Sequence, residues 1–136
     1  MDTKIDRQTA ENDVISWLEK KKVFQETREK FKDHIDIIIE AIQNKALVLN
    51  PDFTFEHTLL FPLCDEQENP LTTSLTYKAR INDKQVQPHM RGVKNDDVDN
   101  RLNALIAALT NTSKGIISSL DSADKRISTA IGVFFM

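Results

Sequence analysis

The sequence predicts an α+β fold, in which an antiparallel β-hairpin packs against C-terminal helices and follows a long amphipathic N-terminal helix. Three stretches of apolar spacing predict this order. Residues 9–46 follow a heptad spacing without Gly or Pro, residues 53–61 and 71–81 alternate with a period of two, and a helical period returns from residue 95. The 136 residues suffice for one ordinary domain. The change of period separates an N-terminal amphipathic helical segment, 1–50, from an α+β segment, 51–136.

Large apolar side chains recur at every seventh residue of the N-terminal segment. The row consists of Trp17, Phe24, Phe31 and Ile38, and a seven-residue period keeps one row facing a partner helix. A continuous helix over 9–46 would be roughly 55 Å long, whereas a domain of this size is only about 30 Å wide. Two interpretations therefore stay open. Either the segment bends back near residues 20–22 and the row is core, or the row is the predicted partner-binding site.

The two alternating runs predict an antiparallel hairpin with one buried and one wet face. His57 and Leu59 share a face of the first run, and Leu75 and Tyr77 share a face of the second. Pro62 ends the first strand, and the polar residues 65–70 form the loop. A lone hairpin is only marginally stable in water, so we expect helices to cover its apolar face.

Turn and capping signals define the helices after residue 82. Pro88 limits a short helix, and Asn111 closes a longer one that begins near residue 95 with acidic residues in its first turn. Asp121 is expected to be the N-cap of the last helix. Asp124, three residues on, has the spacing of a capping-box partner, and Phe134 lies near the end of the inner stripe.

The charge pattern argues against nucleic-acid and membrane partners. Lys and Arg number 18 and Asp and Glu 21, which gives a net charge of −3. The one basic run, at residues 20–22, is flanked by Glu and is expected to be a solvated face. The apolar runs are far shorter than the roughly 20 residues that span a bilayer. Because the N-terminus has no apolar signal-peptide core, we expect a cytoplasmic protein.

The sequence offers no good catalytic, cofactor-binding or metal-binding residues. Cys64 is the only Cys, and the nearest His in the sequence is His57. We interpret Cys64 as a half-buried thiol at a strand end, and a Cys–His enzyme is the alternative. His34 and His89 lack the spacing of metal ligands, and no glycine-rich phosphate loop occurs. We therefore predict no enzyme, no cofactor and no metal.

Four short motifs follow one another from residue 53 onward. They are a strand ending in apolar residues and Pro (59–62), a strand ending in a basic residue (71–80), a helix led by an acidic residue (99–109), and a Leu-Asp-x-x-Asp helix start (120–124) followed by Phe134 and Phe135. This order resembles the small tail assembly chaperones of contractile-tailed bacteriophages and of Mu-like or P2-like prophages. The resemblance covers about 80 residues and leaves the N-terminal segment without a counterpart.

The resemblance implies a non-enzymatic function in the cytoplasm of the bacterial host. Proteins of this family bind the long, helical tape measure protein during tail assembly, until tail tube protein replaces them, so both are implied as partners. The segment 51–136 would then be the chaperone-like domain. The alternative is a homo-oligomeric coiled-coil adaptor or regulatory protein that assembles through the heptad row of the N-terminal helix.

Overall fold

The computed structural model describes residues 4–136 and has the predicted α+β fold; residues 1–3 of the predicted N-terminal segment lie outside the described residues. A three-stranded antiparallel sheet has the strand order β1-β2-β3. The helices and strands are, in chain order, α1 (Arg7–Lys20), α2 (Gln25–Lys30), α3 (Lys32–Gln43), β1 (Leu47–Leu49), β2 (Phe55–Cys64), β3 (Pro70–Tyr77), α4 (Asp83–Val86), α5 (Val98–Thr110), α6 (Lys114–Ser118) and α7 (Ser122–Gly132). Two 3₁₀ helices, Gln87–Met90 and Val133–Phe135, follow α4 and α7. No helix within residues 4–136 is long and apolar enough to cross a membrane.

The N-terminal segment forms three helices between Arg7 and Gln43 and then strand β1, so it is not helical throughout as expected, and its helical part bends back on itself. Lys22 has a φ of 58°, a left-handed conformation that ends the first helical stretch and reverses the chain. Helix α3 then packs against α1. The Ile5 N–H donates to the Gln43 carbonyl at 2.9 Å, which joins the two ends of this helical pair. The first of the two interpretations, a bend near residues 20–22, is therefore correct.

The predicted hairpin is confirmed as β2 and β3. The expectation that Pro62 ends the first strand is wrong, because β2 continues to Cys64 and Pro62 lies in a bulge, where a missing N–H is tolerated. Phe55 lies opposite Tyr77 and His57 lies opposite Leu75, so their side chains share the covered face. Strand β1 was not predicted, because three residues are too few to reveal an alternation. The pairing of β2 with β3 is interrupted after Thr58, and β2 contains extra residues at 59–62 that form a bulge.

The capping predictions for the C-terminal helices are confirmed except at one residue. Asn111 has a φ of 52° at the end of α5, and Asp121 accepts a hydrogen bond from the Ala123 N–H at 2.9 Å at the start of α7. The capping-box assignment of Asp124 is wrong. Its side chain is completely buried and binds β2, as described below.

One hydrophobic core includes residues from both sides of position 50. The Trp17 ring lies 5.0 Å from the Phe55 ring and 5.6 Å from the Phe134 ring, both in edge-on geometry. The Phe31 ring also lies 5.6 Å from the Phe134 ring. Helix α3 also packs against α7. The two segments distinguished by their sequence patterns therefore stabilise each other through shared aromatic contacts.

Candidate protein-binding surface

The heptad row is divided between the core and the surface. Trp17 and Ile38 are 1% and 0% exposed and lie in the hydrophobic core. Phe31 is partly buried against Phe134. Phe24 is 80% exposed, because it lies at the start of α2, outside the pair formed by α1 and α3. The four residues therefore do not form one exposed stripe, and only the Phe24 ring is fully presented to solvent.

A second exposed apolar region lies at the far end of the hairpin. Leu60, Phe61 and Leu71 are 53%, 56% and 70% exposed, and Pro62 is exposed beside them. We call these four residues the hairpin-end surface. Leu60 is exposed in phase with the alternation that buries Phe55, His57 and Leu59. The β-bulge breaks this alternation at Phe61, so Phe61 is exposed as well. Clustered exposed apolar residues are typical of a protein-binding surface.

A buried carboxylate fixes the backbone of this surface. One oxygen of Asp124, Oδ1, accepts the Leu60 N–H at 2.8 Å, and the other, Oδ2, accepts the Phe61 N–H at 2.9 Å. Both amides lie in the bulge, where the pairing register with β3 is interrupted. The carboxylate thus replaces strand carbonyls as the acceptor, and charge-assisted bonds of this kind are stronger than neutral ones.

Asp124 also begins a chain of buried hydrogen bonds under the sheet. His57 Nε2 lies 3.0 Å from Asp124 Oδ1, and His57 Nδ1 lies 2.8 Å from the Tyr77 hydroxyl, which is 2.5 Å from Ser128 Oγ. The Asp124 carboxylate accepts N–H groups on both oxygens, so Nε2 of His57 donates and Nδ1 accepts from Tyr77. Ser128 then donates to the Tyr77 oxygen. Every donor in this chain has an acceptor, which is the condition for a stable buried polar network.

Burial keeps this network neutral at His57 and Tyr77. It lowers the pKa of His57, and the hydrogen bond and charge of Asp124 oppose this effect without cancelling it. Burial also raises the pKa of Tyr77 well above its usual range. All four side chains are at most 1% exposed. A substrate cannot reach them in this conformation, so the network holds β2, β3 and α7 together rather than forming a reaction centre.

The structure does not form the Cys–His pair considered from the sequence. Both ring nitrogens of His57 are already bonded, to Asp124 and Tyr77. Cys64 is exposed at the end of β2, and its thiol donates to the Pro62 carbonyl at 3.6 Å. The expectation of a half-buried thiol is therefore wrong, because the hairpin extends past the helices that would cover it. Within residues 4–136, no group of three or more His, Cys, Asp or Glu could hold a metal ion.

An apolar groove lies beside the hairpin-end surface, between α3 and α7. It has a volume of about 420 Å³ and shares Leu60 with that surface. Glu40, Asn44 and Arg126 supply polar groups at the groove. Its apolar lining consists of Ile37, Ala41, Ala46, Ala123 and Ile127. A concave apolar site with a few polar groups fits the apolar face of an amphipathic helix.

Sequence reasoning missed Asp124 as the residue that fixes the surface. Its motif, Leu-Asp-x-x-Asp, was visible, but the capping spacing explained it locally and gave no reason to connect Asp124 with Leu60, 64 positions away.

Comparisons with models of protein families, with curated proteins and with solved structures found no match. Function is therefore inferred from the motifs and from the surfaces they build.

Proposed function

We propose that this chain is a non-enzymatic tail assembly chaperone of a contractile-tailed phage or prophage. It acts in the cytoplasm of the bacterial host and binds the tape measure protein, with tail tube protein as a further partner. The observation that carries the proposal is the contact between two of the four motifs. Asp124, from the Leu-Asp-x-x-Asp motif, binds the backbone of Leu60 and Phe61, from the strand motif that ends in Pro62.

This contact supports the proposal because it joins the two motifs in one surface. The strand motif supplies exposed apolar side chains, and the helix motif holds their backbone in a single conformation. A surface that is ordered before binding loses less conformational entropy when it binds. Helix capping alone does not explain why the buried Asp124 carboxylate binds the backbone of Leu60 and Phe61, which are distant in the sequence.

The client is proposed to be an amphipathic helical segment of the tape measure protein. Its apolar face would cover Leu60, Phe61 and Leu71 and enter the groove between α3 and α7. Helix-in-groove binding uses apolar anchors at helical spacing, with polar groups at the rim. Glu40 and Arg126 at this groove offer charges of both signs for such a rim. Phe24 is a second exposed anchor, on a different part of the N-terminal segment.

The coiled-coil adaptor is less well supported. It requires the heptad row to face another chain, but Trp17 and Ile38 are already buried against their own chain. Exposing two such large apolar side chains would cost about 1.5–3 kcal/mol each. Helix α1 also already has α3 as its packing partner.

Co-expression tests the proposal directly. A tagged form of this chain is produced together with the tape measure protein of the same phage or prophage, and the soluble complex is purified through the tag. We expect co-purification and a larger soluble fraction of tape measure protein. The double variant Leu60→Ser and Phe61→Ser should lose both effects, whereas Val48→Ser should keep them, because Val48 is 51% exposed but lies on β1.

The opposite results would contradict the proposal. If the wild-type chain neither co-purifies with the tape measure protein nor keeps it soluble, the chaperone function is wrong. If the double variant binds as well as Val48→Ser, the function stands but the hairpin-end surface is not the binding site. Equal thermal melting of the two variants ensures that loss of binding does not reflect unfolding.

A further inference from the structure

The segment after β3 is strongly basic. Residues 78–94 carry five Lys or Arg and one Asp, a net charge of +4 in a chain whose net charge is −3. Among the residues that the structure describes, none of these six side chains forms an ion pair. A local excess of unpaired positive charge in an acidic chain is typical of a surface that attracts an anionic partner.

Helix α4 and the 3₁₀ helix that follows it place two of these positive charges on one side. Lys84 and Arg91 line a concavity of about 320 Å³ together with Gln87 and Pro88. The Lys114 Nζ donates to the Arg91 carbonyl at 3.2 Å, so a third ammonium group lies at this concavity. Lys84 and Arg91 are roughly 12 Å apart along the helical axis. Two carboxylates seven residues apart on a partner helix, about 10.5 Å, would match this spacing.

Another side of the same helical segment faces an apolar pocket. Val86 and Met90 line this pocket, which lies between α4 and α5 and has a volume of about 320 Å³. The rest of its apolar lining consists of Ile81, Leu102, Leu105 and Phe135. Pockets of this kind hold the apolar anchor residues of a binding partner.

A capping box holds α4 in place in the free chain. The Gln85 N–H donates to Asn82 Oδ1 at 3.2 Å, and the Asn82 N–H donates to Gln85 Oε1 at 2.9 Å. These reciprocal bonds fix the start of the helix. A pocket and charges that are ordered before binding lose less conformational entropy when a partner binds.

Positive charge also lies beside the Phe135 wall of the pocket. The Lys21 Nζ lies 3.3 Å from the centre of the Phe135 ring. Burial and, next to it, the charge of Arg80 lower the pKa of Lys21 to about 8, so both side chains are mostly charged at neutral pH. A partner with carboxylates around an apolar anchor would therefore meet complementary charge here as well.

We propose that the apolar pocket and the basic concavity beside it together bind an acidic amphipathic helical segment of a partner protein. We call these two features the α4 site. One apolar side chain of the partner occupies the pocket, and two of its carboxylates bind Lys84 and Arg91. The proposal is independent of the chaperone function, because the α4 site shares no residue with the groove between α3 and α7 or with the hairpin-end surface.

Acidic side chains around the α4 site favour a narrow protein segment over a nucleic acid or a membrane. Asp83 lines the apolar pocket. Asp96, Asp97 and Asp99 lie at the start of α5, which forms one wall of that pocket. A nucleic acid or an anionic membrane would bring negative charge against these carboxylates, whereas a single helix covers a strip only about 10 Å wide.

Binding of a designed peptide tests the α4 site. The probe is a fluorescently labelled helical peptide with Glu, Leu and Glu at positions i, i+4 and i+7, the spacing of one helix face. Fluorescence anisotropy measures its dissociation constant, which we expect to rise with salt concentration. Replacing both Glu of the peptide by Gln should weaken binding about fivefold or more, and replacing the Leu by Ser should weaken it about tenfold.

A charge variant of the chain locates the carboxylate contacts. Lys84→Gln combined with Arg91→Gln should raise the dissociation constant about fivefold or more, because both charged contacts are lost. Lys4→Gln combined with Lys32→Gln is the matched control. It removes the same charge from two other exposed positions and should leave the dissociation constant unchanged.

A second variant tests the pocket. Val86→Phe puts a larger side chain into the pocket and should weaken binding about fivefold or more. Ile15→Phe makes a similar change at a position on α1 that is 44% exposed, and it should bind the peptide as wild type does. Thermal melting shows that each variant folds.

Three results would overturn the proposal. They are no binding of the acidic peptide up to about 1 mM, equal weakening by the charge variant and its control, and tighter binding of duplex DNA or phosphatidylglycerol vesicles than of the peptide. The charge variant should still co-purify with the tape measure protein. If it does not, the α4 site belongs to the surface that binds the tape measure protein, and the inference of a separate acidic partner is wrong.

Discussion

Removal of the buried carboxylate at Asp124 should destabilise the whole domain. In Asp124→Ala, three N–H groups lose their acceptor: those of Leu60, Phe61 and the His57 ring. An unsatisfied buried donor costs about 1–3 kcal/mol, and water can reach the partly exposed bulge, so we expect a loss of about 3–6 kcal/mol. The free energy of unfolding of a small domain is about 5–15 kcal/mol, so this is a large share of it.

Asp124→Asn isolates the effect of the charge. The amide keeps the shape of the carboxylate, but its NH₂ group faces either the Phe61 N–H or the two donors at Oδ1. We expect a loss of about 2–3 kcal/mol, or roughly 6–10 °C in melting temperature for a chain of this length. Asp121→Asn is the control. It changes an exposed carboxylate at the same helix start and should cost about 1 kcal/mol or less.

Urea unfolding followed by Trp fluorescence provides the assay. Trp17 is the only Trp and is 1% exposed, so its emission reports on the core. The expected order of stability is wild type, Asp121→Asn, Asp124→Asn and Asp124→Ala. If Asp124→Asn is no less stable than Asp121→Asn, the carboxylate does not hold the bulge and the account of the surface is wrong.

Three further predictions concern the core. The free energy of unfolding should fall as the pH drops below about 6.5, because the folded state keeps His57 neutral while the unfolded chain binds a proton there. Urea unfolding of wild type and His57→Gln at several pH values measures this effect, and an equal change of unfolding free energy with pH in both would contradict it. Gly132→Ala should lower the free energy of unfolding by about 1 kcal/mol, because the new Cβ would lie 3.0 Å from Ile106 Cγ1. Thermal unfolding measures this, and a variant more stable than wild type would refute the tight packing. Phe24→Asp should change the free energy of unfolding by less than about 0.5 kcal/mol, whereas Phe31→Asp should lower it by about 1–3 kcal/mol. Equal losses in urea unfolding would show that the Phe24 ring packs against the rest of the chain.

The fold was largely predictable because its signals are local. Alternating residues gave the hairpin, and Asn111 and Asp121 gave helix ends, since these patterns depend on neighbours in the sequence. The bend near residues 20–22 was one of two open interpretations. The reversal depends on the positive φ of Lys22, and Lys has no preference for that conformation from which it could be predicted.

The candidate surface was not predictable from local patterns. The heptad row indicated anchors, but burial depends on which helix packs back, and this placed Trp17 in the core and left Phe24 exposed. The bulge in β2 and the contact of Asp124 with Leu60 join distant positions. A capping motif explained Asp124 well enough on its own that its long-range partner stayed hidden.

The most direct test of the binding account is hydrogen exchange of the wild-type chain with and without a purified helical fragment of the tape measure protein. The account predicts slower exchange on binding in two places, around Leu60 and Leu71 at the hairpin end and along the sides of the groove in α3 and α7. Unchanged exchange in both places, or protection confined to the region of Phe24, would contradict it.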